Sequence, residues 1–463
     1  MMDEFLSETY VEIFKSWILG HKKLKMSISD DRSSITIKNY YSESHVNFYQ
    51  MNIVEFTIKN IEKDETVFYL HFQIKNLKQA VDLFNEMLET INNITNTPAL
   101  KVLFTCTSGL TTGYFAQKVN EVADLLHLDI HVDAVSYNNL YKAGHDYDII
   151  MLAPQISYMD TKVRAILKEQ VIVKIPSPIF AKYDIKKMLA LIEQNRNNKA
   201  VLDEHHEPIK AKNLRPSNVK TLCIALIRNS RRVHIAYRIY DEQNQILEND
   251  EIIKPRLTIF DYYLVIDSML GQYPDIGIIG ISTPGIINNG HITSLNLFGI
   301  EEVFIERDFT SKYSQKFVFL NDVNAIALGY YGSQDEYNSI SFIFQPVASK
   351  SGTGHIINDR LILGNHNIAG EVQYLPANYS KDVLELHQTP EGAIEAMAKT
   401  IISIVSIIDP QLVVFCCTLI TDLDELNKEI EKDLPTQYIP KIIKIEYLQE
   451  YMLLGTLLDC QQN

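Results

Sequence analysis

The period of the hydrophobic pattern changes several times along the chain, and each change marks an expected element. Residues 5–19 read as a helix. The stretches 34–41, 46–61 (one strand or two) and 66–74 alternate apolar and polar positions, as half-buried strands do. Leu77, Ala80, Val81, Phe84, Leu88 and Ile91 then recur at helical spacing. Residues 1–96 are therefore expected to form a small α+β module. Trp17 is its expected core anchor, and Tyr40, Tyr41, Phe48 and Tyr49 either pack as core and cross-strand pairs or line a groove. The polar run Asn92-Asn93-Ile94-Thr95-Asn96-Thr97-Pro98 breaks the pattern.

Beyond the break, short apolar runs alternate with amphipathic ones. Strands are expected at 100–105, 129–135, 148–153 and 171–175, and helices at 114–128, 159–168 and 183–194, with a short turn or helix opening at 138–140. Strand and helix in strict alternation predict a compact four-stranded parallel α/β sandwich over residues 97–195. Residues 196–217 are charged and polar and read as a linker. The His205-His206 pair lies in it without the acids or cysteines that would complete a metal site. From residue 218 the pattern changes again: strands at 221–227, 233–240 and 245–248, a helix over Ile259–Gln272, and then glycine-punctuated strands.

One stretch carries chemistry. Val102-Leu103-Phe104-Thr105-Cys106-Thr107-Ser108-Gly109-Leu110-Thr111-Thr112-Gly113 is an apolar strand running into a small, hydroxyl-rich loop ahead of a helix. Such a turn aims backbone N–H groups and a helix N-terminus at one point, which suits an anion. A cysteine there has its thiolate favoured and becomes a nucleophile. The plain alternative is a buried, inert thiol. Ligands of parallel sheets bind at the carboxyl ends of strands, and Cys106 is at one.

Composition narrows the classes. The net charge is −15, which argues against sequence-independent nucleic-acid binding. The five scattered cysteines form neither a disulfide framework nor a zinc spacing. The N-terminus lacks the pattern of a secretory leader, and no apolar run is long enough to span a bilayer. A cytoplasmic protein of two or three domains is expected.

Phe104 to Thr112 resembles the phosphocysteine loop of the IIB component of the phosphoenolpyruvate-dependent sugar phosphotransferase system (PTS), lactose/cellobiose type. Asp148-Ile149-Ile150-Met151-Leu152-Ala153-Pro154-Gln155-Ile156-Ser157-Tyr158-Met159 resembles the same family's second signature, at the expected spacing. The resemblance implies that Cys106 accepts a phosphoryl group from a histidine on a IIA partner. The amides of Thr107, Ser108, Gly109, Leu110, Thr111, Thr112 and Gly113 would cradle the phosphate, with Pro154, Gln155 and Tyr158 as its rim. The chemistry needs no cofactor or metal. A IIC membrane component, the implied further partner, is not part of this sequence.

Residues 218–463 resemble the ROK family of sugar kinases and sugar-responsive repressors, on Ile276 to Gly285, Ile292 to Leu297, Phe317 to Ala325 and Ser351 to Tyr374. The resemblance implies a bilobal actin-like ATPase fold, with Asn296, Asn321, Asp322 and Glu371 as sugar contacts and Asp322 at the catalytic-base position. A turn or cap is the alternative role for Asp322. The departures are specific. The family's Asp-x-Gly-Gly-Thr phosphate loop is replaced by Ile224-Ala225-Leu226-Ile227-Arg228-Asn229-Ser230, and its adenosine-side glycines by Phe415-Cys416-Cys417-Thr418. Gly352 and Gly354 alone resemble the second phosphate loop. The zinc cysteines are absent and Tyr374 stands at the zinc-histidine position. Neither ATP with magnesium nor zinc is expected to bind.

Three functions follow. The first is a PTS phosphoryl carrier on Cys106 whose degenerate kinase domain senses or positions a sugar of the β-glucoside or hexose class. The second is an active ROK sugar kinase with an appended IIB domain. The third is a non-enzymatic PTS-linked regulator. The expected partners are a IIA donor, a IIC component, the sugar and, in a homodimer, a second copy of the chain.

Overall fold

The computed structural model describes residues 2–22, 24–61, 64–96, 100–196, 208–212, 214, 216–228, 233–256, 258–288, 291–293 and 303–462. The first segment runs α1 (Met2–Leu19), β1 (Met26–Ile28), β2 (Ser34–Lys38), β3 (Ser42–Phe48), β4 (Ile53–Asn60), β5 (Glu65–Gln73) and α2 (Leu77–Asn96). The second runs β6 (Leu100–Cys106), α3 (Leu110–Leu125), β7 (Ile130–Ser136), α4 (Tyr137–Ala143), β8 (Ile149–Leu152), α5 (Asp160–Ile166), β9 (Val171–Lys174), α6 (Ser177–Lys182) and α7 (Ile185–Asn195). A 3-10 helix, Pro154–Met159, precedes α5.

The third segment opens with β10 (Lys220–Arg228), β11 (Val233–Tyr240), β12 (Ile246–Lys254), α8 (Ile259–Gln272) and β13 (Ile276–Thr283). The short strands β14 (Ile286–Asn288), β15 (His291–Thr293) and β16 (Val303–Phe304) follow, then α9 (Ile305–Lys312), β17 (Lys316–Asn321) and α10 (Asp322–Ser333). The remainder is β18 (Ile340–Phe344), β19 (Gly352–Ile357), β20 (Arg360–Leu361), α11 (Val383–Leu386), α12 (Pro390–Ile408), β21 (Leu412–Cys416), α13 (Leu423–Ile430), β22 (Lys441–Lys444) and α14 (Gln449–Gln462). No described helix is long and apolar enough to cross a membrane.

The chain folds into two compact units. One comprises Met1–Thr97, Asn213–Asp322 and Thr456–Asn463, and the other Pro98–Lys212 and Val323–Gly455. In the first unit a single ten-stranded sheet runs β1-β2-β3-β4-β5-β12-β11-β10-β13-β17. The β-rich strands of residues 1–96, read from sequence as a module of their own, continue the ROK-like sheet through an antiparallel pairing of β5 with β12. Phe68, Leu70 and Phe72 alternate inward along β5 and share one core with Phe14 and Phe84 of the helices and Tyr262 and Val265 of α8. Trp17 packs against this core, stacked on Phe14 and edge-on to Phe84. Phe48 is buried, whereas Tyr40 is 86% exposed and Tyr49 53%. The stretch 46–61 is two strands, parted at Met51 and Asn52, both of which adopt positive φ. Strand β12 extends six residues past the expected end, because its pairing with β11 continues to Lys254, opposite Val233.

The second unit holds two sheets. The first has the order β7-β6-β8-β9, all parallel, as its alternating pattern predicts. The second has the order β20-β19-β18-β21-β22, antiparallel on one side of β18 and parallel on the other. This order and sense repeat those of β12-β11-β10-β13-β17 in the first unit. Two copies of that five-strand pattern are what the actin-like ATPase fold requires.

A buried ion pair ties the N-terminal segment to the first unit's ROK-like part. The Lys254 ammonium lies 2.6 Å from Asp261 of α8 and 2.7 Å from Glu86 of α2, and the Lys254 and Asp261 side chains are only 3% and 2% exposed. Asp261 also accepts from the Thr258 N–H and hydroxyl, closing the capping box of α8. Removing one partner of a buried pair leaves an uncompensated charge. Asp261→Ala is therefore expected to lower stability by about 3–5 kcal/mol, measured by denaturant unfolding of the full chain followed through the single tryptophan.

Candidate functional site

Strand β6 is buried almost throughout, since a central parallel strand is covered on both faces. It ends on Cys106, whose side chain faces the apolar layer of α3, α6 and α7 with Phe104 and Phe115. The following helix starts at Leu110, four residues earlier than the periodicity suggests. The expected cradle of Thr107 to Gly113 is thus a three-residue turn followed by the first turn of α3. Leu110, Thr111 and Thr112 supply helix N-terminal N–H groups, which have no intrahelical acceptor of their own. The Gly113 N–H, expected in the cradle, is instead taken by the Gly109 carbonyl at 2.9 Å as the helix's first internal bond. The register that hides these residues from a pattern reading is simple: Leu110 is 81% exposed and breaks the apolar stripe.

The turn is built around the sulfur. The Gly109 N–H donates to Cys106 Sγ at 3.1 Å, and the Thr112 hydroxyl lies 3.3 Å from the same atom. The Thr112 hydroxyl also reaches the Gly109 carbonyl at 3.1 Å. One hydroxyl proton serves two acceptors, so it can rest on the carbonyl while the thiol donates to Thr112, and turn to the sulfur once the thiol ionises. Gly109 is required twice over. Its φ is +83°, and a Cβ there would sit 3.0 Å from the Ser136 backbone nitrogen.

These contacts set the acidity of Cys106. Burial alone pushes its thiol up. Hydrogen bonds from the Thr112 side chain and from the N–H groups of Thr112, Gly109 and Ser108 together outweigh burial and hold it below its ordinary value. Cys416 and Cys417, at and just past the end of β21, are also buried, and burial raises them to about 12 and about 11. Cys460 is raised well above the usual range by its contact with Cys223 and by burial.

Pro154, Gln155 and Tyr158 lie in the 3-10 helix that follows β8 at the same end of the sheet, where the Ala153 N–H bonds the Thr105 carbonyl. Tyr158 is 79% exposed. Strand β7 ends beside Cys106, which pairs with Ser136. Ser136 precedes α4, whose Tyr137 and Tyr141 hydroxyls are 2.9 Å apart. Sequence reading missed Ser136 and Tyr137, because strand register has no trace in a one-dimensional pattern.

The ROK-like candidates are distributed. Asn321 ends β17 and its amide donates to the Gly285 carbonyl at 3.0 Å. Asp322 is the first residue of α10 and belongs to the same unit as Asn321. Glu371 belongs to the other unit and accepts from Gln373 at 2.8 Å. Asn296 lies outside the described residues, as do the His205-His206 pair and Asn229-Ser230. Ile224, Ala225 and Leu226 are fully buried strand residues. Gly352 and Gly354 are accounted for by packing on α10. A Cβ at Gly354 would lie 2.8 Å from Ala327 Cβ and 2.9 Å from the Val323 carbonyl, and one at Gly352 would lie 3.1 Å from Val323.

The geometry gives a thiol held by N–H and hydroxyl donors at the end of a strand of a parallel α/β sandwich, joined in one chain to a duplicated five-strand pattern. Residues 101–191 match the family described as the PTS system lactose/cellobiose specific IIB subunit, and residues 232–394 match the ROK family. The chain contains a IIB domain and a ROK domain. Over 123 residues it is 28% identical to an N-acetylmannosamine kinase of Pasteurella multocida, covering 26% of this chain and 41% of that protein. Over 162 residues it is 24% identical to an N-acetylmannosamine kinase of Haemophilus influenzae, covering 34% and 53%. The chain thus spans about half the length of the curated relatives it matches. Among solved structures, a ROK family protein from Streptococcus pneumoniae in complex with sucrose aligns with 52% of this chain and 98% of its own, at 19% identity and TM-score 0.41. The lactose-specific IIB component domain of the same species aligns with 20% and 95%, at 24% identity and TM-score 0.19.

The hydrogen bonds make a direct prediction. Thr112→Val removes a donor to the thiolate, so the Cys106 titration should move up and its reactivity toward iodoacetamide at neutral pH should fall several-fold. The measurement is the pH dependence of alkylation at Cys106, resolved by peptide mass spectrometry.

Proposed function

We propose that the chain is a PTS phosphoryl carrier, with Cys106 accepting a phosphoryl group from a phosphohistidine of a IIA partner. The Cys106 thiolate attacks phosphorus, the S–P bond forms, the N–P bond breaks, and the imidazole leaves with the bonding pair. The observation that carries the reading is the sulfur held by the Gly109 N–H and Thr112 hydroxyl at the start of α3. A phosphoryl group bonded to that sulfur meets the N–H groups of the helix's first turn, which favour negative charge. Phosphoryl transfer needs positioning and charge stabilisation above all, and such a nest gives both. The exposed Leu110 and Tyr158 give a partner apolar footing beside the thiol.

In this reading the ROK domain binds a sugar without phosphorylating it from ATP. The strand that would open the nucleotide loop carries buried Ile224, Ala225 and Leu226 in place of an acid and glycines. The two remaining loop glycines are used in strand–helix packing. Asn321, Asp322 and Glu371 are retained at the sugar-contact positions. The sugar belongs to the hexose or β-glucoside class, and N-acetylmannosamine, named for the relatives' activity, joins the candidates.

Two measurements test this. Incubated with phosphoenolpyruvate, the general PTS carriers and a matching IIA, the protein should take up phosphate, and Cys106→Ser should abolish the uptake. Label surviving that substitution would sink the carrier reading. Calorimetry with ATP should give no binding. Sugar-dependent ATP turnover lost in Asp322→Asn would instead establish the active kinase.

A further inference from the structure

The IIB sheet has two covered faces, and they are covered differently. On the face away from the Cys106 side chain, Leu103, Ile150 and Leu152, with Leu140 and Tyr141 of α4 and Val163 and Ile166 of α5, share one core with the ROK domain. Ala393, Ile394, Met397 and Ile401 of α12 and Phe415 of β21 complete it. The edge of this contact carries the ion pair Lys162–Glu391, at 2.7 Å. Glu391 is in the first turn of α12.

The Cys106 end reaches that first turn. Cys106 pairs with Ser136, and Tyr137 comes next in the chain. Burial, and after it the charge of Glu391, pushes the Tyr137 phenol up to about 12 against the opposing bond to Tyr141. Tyr137 packs against the core that Ala393 and Ile394 of α12 help to build, so the strand end beside Cys106 borders the start of α12. From the first turn of α12 the contacts continue into the ROK domain. The Gln345 amide donates to the Ala393 carbonyl at 3.0 Å. The His387 ring donates to the Ser349 carbonyl at 2.6 Å, and the Ala348 N–H to the His387 carbonyl at 2.8 Å. The segment so anchored leads into β19, where Thr353 donates to the Gly370 carbonyl, next to Glu371.

We propose that the charge on Cys106 is read by the ROK domain through Glu391, so that phosphorylation alters the first turn of α12 and the attached 345–354 segment. The inference rests on the carrier reading above. A doubly negative phosphoryl group repels Glu391 and weakens its hold on Lys162. The Lys162–Glu391 pair is the element with two arrangements, and 345–354 is what it moves. By reciprocity, a sugar that binds at the Glu371 segment changes the ease of charging Cys106.

The test needs no phosphoryl donor. In the full chain, Cys106→Asp and Cys106→Asn differ only in charge at this position, and amide hydrogen exchange reads the consequence. Exchange over residues 345–354 and 388–396 should differ by about fivefold or more between the two. The difference should shrink at high salt and vanish when Glu391→Gln is added. Equal exchange, or a difference indifferent to Glu391→Gln, overturns the proposal. If the substitutions unfold the chain, wild type alkylated at Cys106 with iodoacetate or with iodoacetamide supplies the same contrast. Failure of phosphate uptake sinks the carrier reading alone, whereas equal exchange sinks the coupling alone.

Discussion

A parallel sheet must be covered on both faces, and much of this architecture answers that constraint. The two central strands at Cys106, β6 and β8, are apolar on both sides. One side is covered by α3, α6 and α7 of the IIB domain itself. On the other side α4 and α5 have seven residues each. Two helices of two turns leave part of that layer uncovered, and α12 of the ROK domain fills it. The IIB domain and residues 323–455 of the ROK domain consequently form one compact unit rather than beads on a tether. The surface pairs Lys162–Glu391 and Lys168–Glu446 at the margin add orientation more than energy, since exposed pairs contribute about 0–1 kcal/mol.

The same layer arrangement explains the thiol. Cys106 sits where strand burial ends and a helix begins, so it is at once desolvated and surrounded by donors. Desolvation resists the thiolate, and the donors prevail because they converge from one short turn. Cys417 is similarly placed after a strand and also accepts backbone hydrogen bonds, yet burial wins there and its thiol is raised. The contrast lies in how deeply each sulfur is enclosed, since both have several donors, and not in the residue type.

Sequence pattern disclosed the order and kind of most elements, the alternation around β6 to β9, and the Cys106 loop. Local information was sufficient there, because period and turn residues act within a few positions. It failed where long-range pairing decides. Nothing local announces that β5 would pair with β12, or that Ser136 would lie beside Cys106. The start of α3 was also hidden, since Leu110 and Tyr114 face solvent at the site's edge and obscure the helical stripe. Gly352 and Gly354, read from the motif as traces of a phosphate loop, have a packing role that only the approach of α10 discloses.

The chain passes between its two units four times, and this has a consequence for biogenesis. Thr456 and Cys460, carried on α14, fill the space above Gly280, which has no side chain to occupy it. They are synthesised after everything else they pack against. On the ribosome, the first unit would wait with a gap in its core while residues 323–455 of the second unit are made. Its residues 1–97 and 213–322 would meanwhile depend on chaperones for protection. Nascent chains of this protein are thus exposed to quality control for longer than their two-unit size suggests.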